Sequence, residues 1–232
     1  MRTIILSLIF FQSILVIGQP KKELNFPDLP GYITLAADLH IHTVLSDGHV
    51  WPTIRVEEAV REGLDVVSIT DHLEYQPHKS DIPHPDRNRG YQLASAYAKD
   101  QGVLVINGSE VSRSMPPGHF NAIYINDANK LLQDDPMKVF EEAGRQGAFI
   151  FWDHPIWPAT EEDGKLLLFE MHKELLKKGL IHGIEVINGT SYYQDAVALA
   201  LEHNLAMLGS SDVHVLTEWD YNISQGGHRP ST

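Results

Sequence analysis

From residue 34 onward the chain alternates between short apolar runs and longer stretches in which apolar residues return at helical spacing. The runs fall at 35–41, 66–70, 103–107, 122–125, 148–152, 183–187 and 206–210, and each has the length of a strand. Stretches 52–62, 91–99, 136–145, 166–178 and 194–203 read as amphipathic helices, the first with Val56, Ala59 and Val60 on one side. Gly63, Gly102, Gly147 and Gly179 punctuate helix ends, and Asp134-Asp135-Pro136 supplies a capped start. Strands that are apolar throughout are covered on both faces, as in a parallel sheet flanked by helices. Seven such units predict an α/β fold, a closed or nearly closed β/α barrel rather than an open doubly wound sheet. No Gly-x-Gly-x-x-Gly or P-loop follows a predicted strand, so a nucleotide-binding doubly wound fold has no support.

The two ends depart from this rhythm. Residues 1–18 carry one charge, Arg2, ahead of an apolar run at 4–17, which reads as a secretory signal peptide. The rival readings are a retained membrane anchor and, more weakly, a buried helix. The expectation is an exported protein, periplasmic or secreted, with no stable membrane insertion once the signal is removed. Residues 19–33 contain Pro20, Pro27 and Pro30 and read as an extended lead-in, leaving 34–232 as one barrel domain. Residues 215–232 show neither helical period nor a further strand, although a last barrel strand needs cover. The expectation is therefore that the natural polypeptide continues past Thr232, with Arg229 belonging to the pocket. Segment 73–89 has no periodicity and holds His78, Lys79, His84, Arg87 and Arg89. It reads as a surface loop or as a loop over the barrel mouth that helps hold an anionic substrate.

Composition narrows the chemistry. The formal net charge of -13 argues against a nucleic-acid binder, whose affinity comes from Lys and Arg. With no cysteine, disulfides, thiol nucleophiles and zinc fingers are excluded, and any metal must be held by nitrogen and oxygen. Thirteen histidines is a high count. Within Asp38-Leu39-His40-Ile41-His42, strand alternation puts Asp38, His40 and His42 on one face, and a turn through Ser46-Asp47-Gly48 can return a carboxylate to them. The later strand ends carry Asp71-His72, Ser109-Glu110, Asp153-His154, Glu185 with Asn188, and Asp212 with His214, while His119 follows a sharp turn at Gly118. In a β/α barrel these ends share one rim. Carboxylates crowded there would repel one another and take up protons, and divalent cations relieve that repulsion.

These blocks, Asp38 to Thr43 with Ser46-Asp47-Gly48, Thr70-Asp71-His72, Gly108-Ser109-Glu110 with Gly118-His119, Asp153-His154-Pro155 and Ser211 to His214, resemble the PHP (polymerase and histidinol phosphatase) domain family. The resemblance implies a distorted (β/α)7 barrel with the metal site at the C-terminal strand ends, holding two or three divalent ions. It implies a first metal on His40, His42, Glu110 and Asp212, a second on Asp47, His72 and His214, and a third on Glu110, His119 and His154. Asp38 is expected beneath the metals; Asp71 and Asp153, which precede ligand histidines, are expected in structural hydrogen bonds or helix caps rather than on a metal. His49, His172, His182, His203 and His228 are expected to be ordinary polar or helix-surface residues.

Such a site implies a phosphoesterase in which a metal-bound hydroxide attacks in line, with Glu110, Asp212 and His214 at the catalytic centre. No Ser-His-Asp arrangement is evident, and zinc, manganese and iron all suit the donors. For a small-molecule phosphate ester, Arg113 is the candidate clamp, against a reading as a solvated loop arginine, and Asn188 would bond substrate or a ligand carboxylate. Export weakens a role in histidine biosynthesis; export and acidity together weaken one in proofreading. Two rivals remain: a metal hydrolase acting on amides or esters, and a non-catalytic extracellular module braced by metals. The sequence sets neither substrate nor oligomeric state.

Overall fold

The apolar runs become strands of one curled sheet. The computed structural model describes residue 24 and residues 26–157 and 165–232, so the predicted signal peptide and the first part of the lead-in lie outside the described residues. Residues 26–33 form neither helix nor strand, and Thr34 turns back to hydrogen-bond Asp28 and Pro27. Among the described residues no helix is long and apolar enough to cross a membrane.

In chain order the elements are β1 (Ala37–Ile41), α1 (Pro52–Glu62), β2 (Val66–Ile69), α2 (Arg89–Ala98), β3 (Leu104–Ser112), β4 (His119–Ile123), α3 (Pro136–Arg145), β5 (Phe149–Trp152), α4 (Glu170–Lys177), β6 (Gly183–Asn188), β7 (Ser191–Tyr192), α5 (Gln194–His203), β8 (Ala206–Ser210) and α6 (Thr217–Tyr221). The sheet runs β1-β2-β3-β4-β5-β6, with β8 beside β6 and β7 folded back on the end of β6. It closes as a distorted barrel: His42 N–H donates to Val213 O at 3.1 Å and Asp212 N–H to His40 O at 2.9 Å. Ala37 and Thr232 exchange two backbone hydrogen bonds of 2.8 and 2.7 Å lower on the same seam.

The all-parallel expectation fails at β4 and at the two-residue β7, which pairs antiparallel with β6. β4 runs antiparallel to both β3 and β5, while β1/β2, β2/β3, β5/β6 and β6/β8 are parallel. The link 113–118 is too short for a crossover helix, and a link of that length can join only antiparallel neighbours. The third strand accordingly extends past the predicted 107 to Ser112, and the fourth starts at His119 rather than 122.

Val66, Ile106, Ile123, Phe151 and Leu208, one each from β2, β3, β4, β5 and β8, form a buried apolar layer. The two-residue period of a strand carries the same face from Leu208 through Ser210 to Asp212, from Ile106 through Gly108 to Glu110, and from Ile123 through Asn121 to His119. Rim ligands and apolar floor are thus successive layers of one interior. A larger buried cluster lies under α3, α4 and α5, and another under α1 and α2. α1 begins with Pro52 and ends at Gly63 in the left-handed region (φ 83°), the punctuation the sequence implies.

Two expectations about the C-terminal stretch change. Residues 217–221 do form a helix, α6, too short to leave a periodic signature. Arg229 does not line the basin: its buried guanidinium pairs with Asp38 at 3.2 Å and Glu62 at 3.0 Å, beneath the seam. His172 likewise is not a surface residue. It is fully buried and stacked on Trp152 with ring centroids 4.2 Å apart; Nδ1 accepts from Phe169 N–H, so Nε2 donates to Pro117 O.

Arg229→Met leaves the buried Asp38 and Glu62 carboxylates without their cation and is expected to destabilise the fold by about 3–5 kcal/mol in denaturant titration. Asp86 accepts hydrogen bonds from Asn88, Gln92 and Asn129, which hold its carboxyl down at about 2. Because that folded value is depressed, its stabilisation is present above about pH 4 and is lost as pH falls through about 2. Asp86→Asn is expected to flatten that acid limb of the stability profile.

Candidate metal centre

β1 delivers His40 and His42 with their Nε2 atoms 3.1 Å apart. Asp212 Oδ1 lies 3.2 and 3.0 Å from these two nitrogens, and Glu110 Oε2 lies 3.6 and 3.3 Å from them. A four-coordinate ion with bonds of about 2.0–2.2 Å separates its ligands by about 3.3–3.6 Å, so the five distances, at 3.0–3.6 Å, lie at or slightly inside the edges of such a polyhedron. Beside it, Asp47 Oδ2 is 3.3 Å from His72 Nε2, and Asp47 Oδ1 is 3.2 Å from His214 Nε2. On the other flank, Glu110 Oε1 is 2.5 Å from His119 Nδ1 and 3.6 Å from His154 Nε2. His154 also groups with His40 and Asp212, so it stands between the first and third sets.

Glu110 is the hub. Fully buried, it faces His40, His42, His72, His119 and His154 at 2.5–3.6 Å. Burial alone would raise its pKa, but the His72 imidazole and hydrogen bonds from His119, His154 and His40 hold it well below the usual range. Burial and the neighbouring His214 push His42 down to about 3, which keeps that imidazole neutral and able to bind a metal. Asp47 Oδ1, Glu110 Oε2 and Asp212 Oδ1 are buried oxygens that accept no hydrogen bond. Bare carboxylate oxygens beside imidazole nitrogens are a donor set for divalent cations, so the residues fit the metals implied by the motifs.

Around these groups lie carboxylates with different duties. Glu185, noted in the sequence only as a strand-end acid, accepts His40 Nδ1–H at 2.8 Å, the backbone N–H of His154 at 2.7 Å, Asn188 Nδ2 at 2.8 Å and the Ser210 hydroxyl. The first bond fixes the His40 tautomer and turns Nε2 toward the metal position. Asp71 takes the structural role expected of it, accepting from Thr43 N–H, the Thr43 hydroxyl and the Ser46 hydroxyl, and so shapes the turn that carries Asp47. Asp38 holds Ser211 through its N–H and hydroxyl, one residue before Asp212. Asp153 does not match expectation. It shares the inward face of Phe151, is fully buried and accepts no hydrogen bond, because β5 ends at Trp152 and His154 turns in at φ 26°. Asp212 is also left-handed, at φ 51°; strain of this kind gathers where a side chain must be aimed.

The ligands open into a basin of about 710 Å³. Arg113 lines it, but its Nε is 2.7 Å from Glu74, and its other nitrogens donate to Gln133 O and Asp134 O. Asn188 bonds Asp212 Oδ2 at 3.3 Å as well as Glu185, the carboxylate alternative of the two foreseen. From segment 73–89 only Tyr75 lines the basin; Arg87 donates to Leu73 O and His84 contacts Leu45 O. The rim aromatics Tyr75, Trp157 and Tyr193 had no signal in the sequence, since they belong to no motif or period.

No family model matches the chain. A solved two-domain protein from Bacteroides vulgatus, containing a predicted PHP-like metal-dependent phosphoesterase, is 47% identical over 91% of this chain with a TM-score of 0.87. The chain spans 61% of that protein's length. The 5'-3' exoribonuclease of Haemophilus influenzae is 32% identical over 80 residues, which is 34% of this chain and 24% of that protein. An amidohydrolase from Chromobacterium violaceum with bound sulfate shares the fold at 19% identity, with a TM-score of 0.54 over 78% of this chain and 88% of its own. The PHP resemblance carried by the motifs therefore extends to the overall structure. Glu185→Gln, by loosening His40, is expected to weaken metal binding about 10–100-fold in a competition titration.

Proposed function

We propose that the chain is a metal-dependent hydrolase of small-molecule phosphate esters, working with two or three divalent ions (zinc, manganese or iron). The observation that carries this reading is the convergence of nine nitrogen and oxygen donors, the buried Glu110 together with His40, His42, Asp47, His72, His119, His154, Asp212 and His214. The identity of 47% to a protein with a predicted PHP-like phosphoesterase supports it. When bound, such ions acidify water and polarise phosphoryl oxygens.

The chain's own residues hold and orient. Glu185 and Asp38 fix the His40 and Asp212 arms from below, and Asp71 fixes the Asp47 turn. Asp212 and His214, with side chains 20% and 34% exposed, reach the open side of the basin, where they would meet a substrate oxygen. Glu110, closed off from solvent, keeps the ligand sets together. Arg113 would reach a phosphoryl oxygen by leaving Glu74, and Asn188 steadies the Asp212 carboxylate. The net charge of -13 weighs against nucleic acid as substrate, and residues 1–18 support export.

Glu110→Gln and Asp212→Asn are each expected to lower kcat/KM on an aryl phosphate by about 100-fold or more. A chelator should abolish turnover, and added metal should restore it. A metal-loaded protein that cleaves amides or carboxylic esters but no phosphate mono- or diester would overturn the assignment.

A further inference from the structure

We propose that the basin selects esters with a single phosphoryl group on an alcohol whose skeleton is an uncharged ring. This rests on the hydrolase reading above and concerns what the walls, rather than the metal ligands, recognise. Tyr75 and Trp157 are large aromatics left 54% and 56% exposed in the lining of the basin. Their rings make T-shaped contacts with histidines of the candidate metal centre: Tyr75 meets His72 at 5.9 Å and 70°, and Trp157 meets His119 at 5.1 Å and 77° and His154 at 5.3 Å and 89°. These contacts fix the tilt of each ring, and more than half of each side chain stays exposed and available for stacking. Tyr193 adds a third, half-buried ring. About 710 Å³ is far more than a phosphoryl group fills and suits a small organic skeleton.

Charge sets the second half of the selection. Among the described residues lining the basin, Arg113 is the one Lys or Arg, and it is already paired with Glu74. A first phosphoryl group has the metal position and Arg113 to meet; a second would find no further Lys or Arg among the described residues lining the basin. The rest of the wall is neutral and hydroxylic, with Ser114 and Ser191. A flat or cyclic skeleton with one phosphate satisfies both walls, whereas a flexible chain wastes the aromatic faces and a bisphosphate lacks a partner.

The test compares benzyl phosphate with butyl phosphate, whose leaving alcohols have similar basicity, and with the bisphosphate of benzenedimethanol, all on metal-loaded protein. The expected kcat/KM for benzyl phosphate exceeds each of the others by about fivefold or more, and Trp157→Ala should bring the benzyl-to-butyl ratio close to one. A ratio near one in the parent protein, or a ratio that Trp157→Ala leaves in place, overturns the inference; a variant that merely misfolds lowers both esters together. Calorimetric binding of benzylphosphonate and butylphosphonate separates this inference from the hydrolase reading. Ring-selective binding without turnover of any phosphate supports the selectivity and removes the hydrolase, while equal binding removes the selectivity whatever the turnover.

Discussion

A carboxylate taken wholly out of water has to be met by positive charge or by hydrogen-bond donors, and Glu110 is where this chain meets that requirement most tightly. Five imidazoles from four different strand ends and the loop after β1 face it, yet one of its oxygens accepts no hydrogen bond. The apolar layer of Val66, Ile106, Ile123, Phe151 and Leu208 below makes the demand sharper, because it keeps water from reaching the carboxylate from underneath. Divalent cations bound among these groups would satisfy them together, which a set of separate ion pairs would not.

What distinguishes the acids of this rim is how many donors each one already has. Glu185 accepts four hydrogen bonds and Asp71 three, so they are saturated and act as braces. Asp47, Glu110 and Asp212 each keep a bare oxygen and lie among imidazole nitrogens. Arg229 completes the pattern from the far side: by neutralising Asp38 it steadies Ser211, and through it the left-handed Asp212. Asp153 stands outside both classes; the structure gives its oxygens no donor, and burial beside Glu185 pushes its carboxyl well above the usual range, with only His40 pulling the other way.

The reversal of β4 is tied to the same centre. In a parallel strand the rim residue comes at the C-terminal end, but β4 runs the other way, and its first residue, His119, stands at the rim opposite Ser112. Glu110 and His119 therefore come from adjacent arms of one hairpin, a local arrangement that does not rely on a crossover helix to set their spacing.

Apolar runs separated by helical stretches, and a strand period that puts His40 beside His42 and Asp212 in line with Leu208, are local properties. They determined the α/β barrel and which histidines and acids fall at the strand ends, because neighbour spacing along an extended chain is fixed by the backbone itself, whereas the proposed ligand sets came from the resemblance of the motifs. Direction and partnership are not local. Whether β4 runs up or down, whether His154 turns inward, whether Arg113 meets Glu74 and whether Arg229 lies under the seam rather than in the basin all depend on what packs across from them. The residue pairs concerned can lie far apart in sequence, as Asp38 and Arg229 do, so only the closed barrel could decide them.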